Sequence, residues 1–183
     1  MNTVTYLVTL DITADNNVAS RALNACNSFY TQLVNVFPYM TINDDITCLG
    51  NSNILKRALI AFTFTTESQR VSYWNLVEFM VYIQTYFPMN IYQIRLSYFD
   101  YTKDEFGELI YDPSKRAEDN LHGIYINEYN HRQIQPIAMT PRMLYDRMRR
   151  LSETLPSEST VYHFEPHSLL SSYTEQDQDE VPL

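Results

Sequence analysis

A strand–helix–strand unit used twice predicts an α+β fold, and three observations carry that expectation. Alternating apolar residues mark strands at residues 4–12 and 54–65. A helical period follows each strand, and each helix stops at a Phe-Pro step, Phe37-Pro38 and Phe87-Pro88. The helix ends lie 50 residues apart (87 minus 37), and the ends of the preceding strands, Ile12 and Phe64, lie 52 apart. An internal period of this length marks a repeated structural unit. With right-handed crossovers, two such units place both helices on one face of a four-stranded antiparallel sheet. The expected core over residues 1–102 is therefore the ferredoxin-like βαββαβ arrangement.

Val4, Tyr6, Val8, Leu10 and Ile12 alternate with Thr5, Leu7, Thr9 and Asp11, the pattern of a half-buried strand. Asp15 and Asn16 offer N-cap oxygens, and Val18, Ala22, Ala25, Phe29, Leu33 and Val36 recur at three- and four-residue spacing, so residues 16–37 predict an amphipathic helix. Pro38 ends it because proline has no backbone donor to continue the ladder. A weaker strand is expected over 40–49, a turn at Gly50-Asn51-Ser52-Asn53, and a strong strand from Ile54 to Thr65. Thr66-Glu67-Ser68-Gln69 fits a capping box. The helix after it carries Tyr73, Leu76, Met80, Ile83 and Phe87 on one face. Trp74, Val77 and Val81 widen that face until it is apolar nearly all round, which predicts deep burial. Pro88 stops this helix, and Ile91 to Tyr101 reads as the fourth strand.

Residues 103–156 read as an extension packed on that core. Lys103 to Gly107 suits a hairpin turn returning through Glu108–Tyr111, Asp112 to Gly123 a loop, and Ile124 to Tyr129 an edge strand. Thr140-Pro141 opens a third helix, with Thr as N-cap and Pro where its missing donor costs nothing. Leu144, Met148, Leu151 and Leu155 form its single apolar stripe, and Asp146 stands four residues before Arg150. Residues 157–183 lose all periodicity and read as a disordered acidic tail.

A chain of 183 residues with 45% hydrophobic and 14% aromatic content can bury a proper core. Fifteen Tyr and nine Phe against three Gly favour strand-rich structure. From Ser157 onward there are six acids and no base, a charge of -6, while the remaining 16 acids and 13 bases leave -3. The expected folded part is thus nearly balanced and has no basic nucleic-acid footprint. No apolar run reaches the length of about 20 residues that spans a membrane, and no basic region precedes the first apolar stretch. Cys26 and Cys48 form no framework and read as free thiols of a reducing compartment, so an intracellular, cytoplasmic or nuclear protein is expected. The Asn- and Tyr-rich, Gly-poor composition suits a viral or mobile-element protein.

No motif with catalytic spacing emerges. His163 and His167 have the spacing of metal ligands on one helical turn, but Pro166 lies between them. His122 and His131 are the other two histidines of the chain. Three glycines cannot build a phosphate loop, and Asp44-Asp45 and Glu118-Asp119 read as solvated pairs. No catalytic residue, metal or cofactor is therefore expected. The doubled unit invites comparison with RNA-recognition domains, which stack bases on aromatics of the open sheet face. The strand Arg57–Phe64 resembles their motif only in its leading Arg and final Phe, since Leu59 and Ala61 stand where stacking aromatics would. With Tyr6, Phe62 and Phe64 turned to the helices, the open face would present Thr5, Thr9, Asp11, Thr63, Gln93, Arg95 and Ser97. Replication-initiator nickases build on a similar sheet, but the matching strand here lacks their paired histidines, and Tyr145 alone does not supply the chemistry.

The expected function is a non-enzymatic protein-interaction or regulatory module that associates with itself or another protein. The alternative is a nucleic-acid-binding module using Arg57, Arg95 and the third helix, whose Arg142, Arg147, Arg149 and Arg150 are the most basic part of the chain. A second alternative is an enzyme whose site is assembled from distant residues. Arg149-Arg150-Leu151-Ser152 fits a basophilic kinase pattern, making Ser152 a candidate phosphosite. Val181-Pro182-Leu183 fits carboxylate-capturing domains. The acidic tail folding back over the basic helix is a further expectation.

Overall fold

The computed structural model describes residues 3–67, 73–116, 118–120 and 135–155. In chain order its elements are β1 (Thr3–Thr13), α1 (Val18–Val36), β2 (Thr41–Ile42), β3 (Thr47–Ser52), β4 (Arg57–Glu67), α2 (Tyr73–Tyr86), β5 (Asn90–Asp100), β6 (Glu105–Tyr111), β7 (Pro136–Ile137) and α3 (Pro141–Ser152). The result is a mixed α+β fold. Seven strands make one sheet along the path β2-β4-β1-β5-β6, with β3 also paired to β4 and β7 to β5. Every pairing is antiparallel. The four-stranded ferredoxin-like core expected from the repeat is not established by this sheet, which has seven strands.

Strand alternation divides the sheet into two faces. Tyr6, Val8, Leu10 and Ile12 of β1 join Ile60, Phe62 and Phe64 of β4 and Ile94, Leu96 and Tyr98 of β5 on the first face. Val18, Ala22, Cys26, Phe29 and Leu33 of α1 and Leu76, Val77, Phe79, Met80 and Ile83 of α2 complete this main core. Tyr6, Phe62 and Phe64 do face the helices. Phe29 against Phe87 and Phe37 against Phe79 show that α1 and α2 run antiparallel to each other.

The second face is not open. Leu7, Leu49, Leu59 and Ala61 meet Met139, Leu144, Met148 and Leu151 in a separate, smaller core, so α3 lies across the sheet opposite the other two helices. Thr5, Thr9, Asp11, Thr63 and Ser97, expected on an exposed polar surface, are all buried. Thr140 caps α3 as expected: its Oγ1 accepts from Met143 N at 3.2 Å, and Pro141 holds the first position. The i,i+4 ion pair of this helix is Arg149 to Glu153, at 3.5 Å, rather than Asp146 to Arg150.

Several boundaries move for identifiable reasons. The strand expected over 40–49 is two pieces, because Asn43 Oδ1 accepts from Asp45 N at 2.9 Å and turns the chain between β2 and β3. Gly50 to Ser52 belong to β3, with a bulge at Cys48/Gly50, and the turn follows at residues 53–56. Lys56 adopts the left-handed conformation there (φ 57), and Ser52 Oγ accepts from Leu55 N at 3.0 Å. Ile54 and Leu55 therefore sit at an exposed turn instead of opening a strand. The N-cap of α1 is Asn17 in the left-handed region (φ 48), with no side-chain cap, rather than Asp15 or Asn16. Gly107 lies within β6, and the hairpin turn is Tyr101 to Asp104. A short helical stretch at 118–120 interrupts the predicted loop. Thr66 lies in β4, while Gln69 of the proposed capping box, the strand at 124–129, all four histidines and residues 157–183 lie outside the described residues.

Candidate functional site

The arginines singled out in sequence do not converge. Arg57, the first residue of β4, donates from Nε to Asp11 Oδ1 at 3.1 Å and from its terminal nitrogen to Asp11 Oδ2. Its guanidinium also lies 4.5 Å over the ring centre of Tyr92. The hydrogen bonds that Arg57 donates to Asp11, outweighing the effect of burial, raise the Arg57 pKa above its ordinary value.

A second cluster lies under α3. Arg147 donates to Glu108 Oε2 at 2.7 Å and to Ser97 Oγ at 3.2 Å. Arg95 reaches the same Glu108 oxygen at 3.4 Å and donates to Gln93 Oε1 at 3.1 Å. Burial lowers the Arg147 pKa, with the Glu108 charge opposing that shift. One carboxylate thus holds two guanidiniums where the helix meets the sheet, and Arg147 also packs over Phe106, 5.4 Å from its ring centre.

Arg57, Arg95 and Arg147 therefore spend their donors inside the protein. Arg142, Arg149 and Arg150 remain on the exposed side of α3. Ser152 is 6% exposed, and its Oγ donates to Arg149 O at 2.6 Å. Phosphorylation there would require the end of α3 to open. The carboxylates Asp44 and Asp45 sit in the turn between β2 and β3, and Asp119 pairs with Arg116 at 3.1 Å.

The crevice between α1, α2 and the sheet is too small to be a ligand site. It measures about 10 Å³ and is lined by apolar side chains including Leu10, Phe29, Leu33 and Phe62. That is about the limit for one water, which would find few polar partners there. Cys26 lines it as a buried free thiol whose pKa burial pushes up to about 12, so it is no nucleophile at neutral pH. Cys48 is also free, and burial raises its pKa too. Among the described residues no three His, Cys, Asp or Glu side chains are grouped to hold a metal ion. No described helix is long and apolar enough to cross a membrane.

The most unusual surface is the outer side of the α1/α2 layer. The 19 residues of α1 include one charged side chain, Arg21, and the 14 of α2 include one, Glu78. A solvated surface is usually about 25–35% charged; by contrast, α3 carries five charges in 12 residues. The outward side of α1 shows Asn24, Asn27, Thr31 and Asn35. The outward side of α2 shows Trp74 at 46%, Val81 at 37% and Tyr86 at 59% exposure. Tyr86 packs against Tyr82 with the rings tilted and their centres 4.7 Å apart, and Tyr82 accepts from Gln32 of α1, so the two helices present one continuous surface.

Sequence reasoning missed this surface by reading the all-round apolarity of α2 as burial. Periodicity alone cannot separate a second buried face from an apolar face left at the surface. The shortage of charge in both helices was the available signal. No protein-family model, characterised protein or solved structure significantly matches this chain.

Proposed function

We propose that the protein is a non-enzymatic interaction module that binds a protein partner through the outer face of α1 and α2. The observation that carries this reading is the two charged residues among the 33 (19 plus 14) of those helices, combined with exposed Trp74, Val81 and Tyr86. Depletion of charge with enrichment of Trp and Tyr is the compositional mark of an interface core. Aromatic side chains of this kind supply most binding energy when a partner covers them. The test uses the full chain and its Val81→Glu variant as baits in an extract of the native host. A partner held by the wild type and lost by a variant with an unchanged melting temperature supports the reading. Equal retention by both baits removes this face from it.

The nucleic-acid reading draws on Arg142, Arg149 and Arg150, which share the exposed side of α3. Three cations predict a shallow salt slope, with log K falling by roughly 3 per decade of salt on duplex DNA. A filter-binding titration at several salt concentrations measures it.

We also infer that the centre of the sheet is a ferredoxin-like unit enlarged by β2, β6, β7 and α3. What supports this is the pairing: β1 and β3 are both antiparallel to β4, and β4 and β5 are both antiparallel to β1. Each of α1 and α2 thus joins two parallel strands separated by one antiparallel strand.

A further inference from the structure

We propose that Ser152 is a phosphorylation site for a basophilic protein kinase, and that the phosphate holds the C-terminal end of α3 off the sheet. The residues such a kinase reads are exposed, and the one it modifies is not. Arg149 and Arg150, three and two positions before Ser152, both face solvent, so an acidic kinase cleft reaches them on the folded chain. Ser152 turns inward. It follows Met148 by four residues and adjoins Leu151, both buried, and is itself 6% exposed. The hydroxyl becomes accessible when the last turn of α3 leaves the sheet.

The floor beneath α3 favours that opening. Leu7, Leu59 and Ala61 give the helix an apolar contact, but Thr5, Thr9, Asp11, Thr63 and Ser97 are buried on the same sheet face. Thr9 and Thr47 both stand opposite Ala61 on the neighbouring strands. Their hydroxyls find no hydrogen-bond partner among the described residues. A buried hydroxyl without a partner opposes the packing that buries it. The helix therefore rests on a floor that is half polar, and it is the element poised to open.

Transfer moves the γ-phosphoryl group of ATP to Ser152 Oγ. The bond from the γ-phosphorus to the bridging oxygen breaks, the Oγ–P bond forms, the hydroxyl proton is released and ADP departs. In the docked helix Ser152 Oγ donates to Arg149 O at 2.6 Å. As an ester oxygen it has no proton to donate, so oxygen faces oxygen at that contact. The phosphate brings a charge of about −1.5 to −2 to the C-terminal end of α3, where the helix dipole is already negative. It also stands beside Leu151 and Met148, where a charge loses its water. Each effect opposes re-docking. With the last turn released, the phosphate is one turn from Arg149 and can pair with it in solvent.

The full chain, incubated with ATP and a kinase that selects arginine at both positions, is followed by intact mass and peptide mapping. One phosphate on Ser152 is expected, and it enters slowly because the open form is the one that reacts. Met148→Ala populates that form and raises the initial rate at least about 10-fold. Met148→Val, a milder truncation, raises it by a smaller factor. Arg149→Ala and Arg150→Ala together lower the rate at least about 10-fold with an unchanged melting temperature. In the phosphorylated chain the amides of residues 147–155 exchange at least about 10-fold faster than in the unmodified chain, while those of β1 keep their rates. Ser152→Glu reproduces that exchange, and Ser152→Ala accepts no phosphate. No incorporation, phosphate on another residue instead, a rate indifferent to both Met148 variants, or unchanged exchange in α3 after full phosphorylation overturns the proposal.

Discussion

Tyr98 lies across Gly107 on the neighbouring strand, and a Cβ at that glycine would overlap the aromatic ring. The glycine is needed for close approach and not for its backbone angle, since neither of the described glycines, Gly50 and Gly107, has a positive φ. Gly107→Ala must displace Tyr98 from the main core, and it should cost about 1–3 kcal/mol in urea denaturation. Cys26 makes a different residue-scale prediction. Burial raises its pKa from about 9 to about 12, so above pH 9 the unfolded state loses a proton that the folded state keeps. Stability from this group is fully present below pH 9 and declines as pH rises to 12, by about 1 kcal/mol per pH unit. Tyr6, raised first by burial and then by Tyr98, adds to the same alkaline loss above pH 10. Denaturant midpoints between pH 8 and 11 check the sign, and Cys26 should resist thiol reagents at pH 8 until the protein unfolds.

The first two helices share one core, whereas α3, with Met139 before it, packs on a smaller one. Met148 is fully buried against the sheet face that bears Leu7, Leu59 and Ala61. Met148→Ala should cost about 2–5 kcal/mol and increase binding of a hydrophobic dye, because among the described helices only α3 covers that cluster. Thr140→Ala removes the cap and should cost about 1 kcal/mol, while exposed Arg142→Ala should stay within about 0.5 kcal/mol. Thermal melts of the three variants rank them. The cap was legible in Thr140-Pro141, and so was the apolar stripe of Leu144, Met148 and Leu151. What that stripe packs against was not legible, because one stripe fits any apolar surface. Leu7, Leu59 and Ala61 among the threonines of the second sheet face were the sign that this face had a partner, and the reading of an open polar sheet passed over them.

At the scale of the whole molecule, β1 is flanked by β4 and β5 and covered by side chains on both faces. Amide exchange should accordingly be slowest in β1 and in the facing parts of β4 and β5, and faster in α3. Met148→Ala should speed exchange in α3 while leaving β1 near the wild-type order; uniform acceleration would show one cooperative unit instead. Burial also explains why the site residues read from sequence do not act together. Arg57 is held by Asp11, and Arg95 and Arg147 by Glu108, so half of an apparently basic set is internal structure.

Local chemistry written in consecutive residues was determined by the sequence: the two proline-stopped helices, the long alternating strands, the cap of α3 and the residues of the main core. Each follows from a period or a short-range hydrogen bond that neighbouring residues specify. Tertiary structure alone decided the seven-strand count, the burial of the second sheet face, the pairing of three arginines and the exposure of Trp74, Val81 and Tyr86. These depend on contacts between residues distant in sequence, such as Arg147 with Glu108 and Leu7 with Met148. No period in α2 could reveal that its outer apolar residues would be left facing solvent.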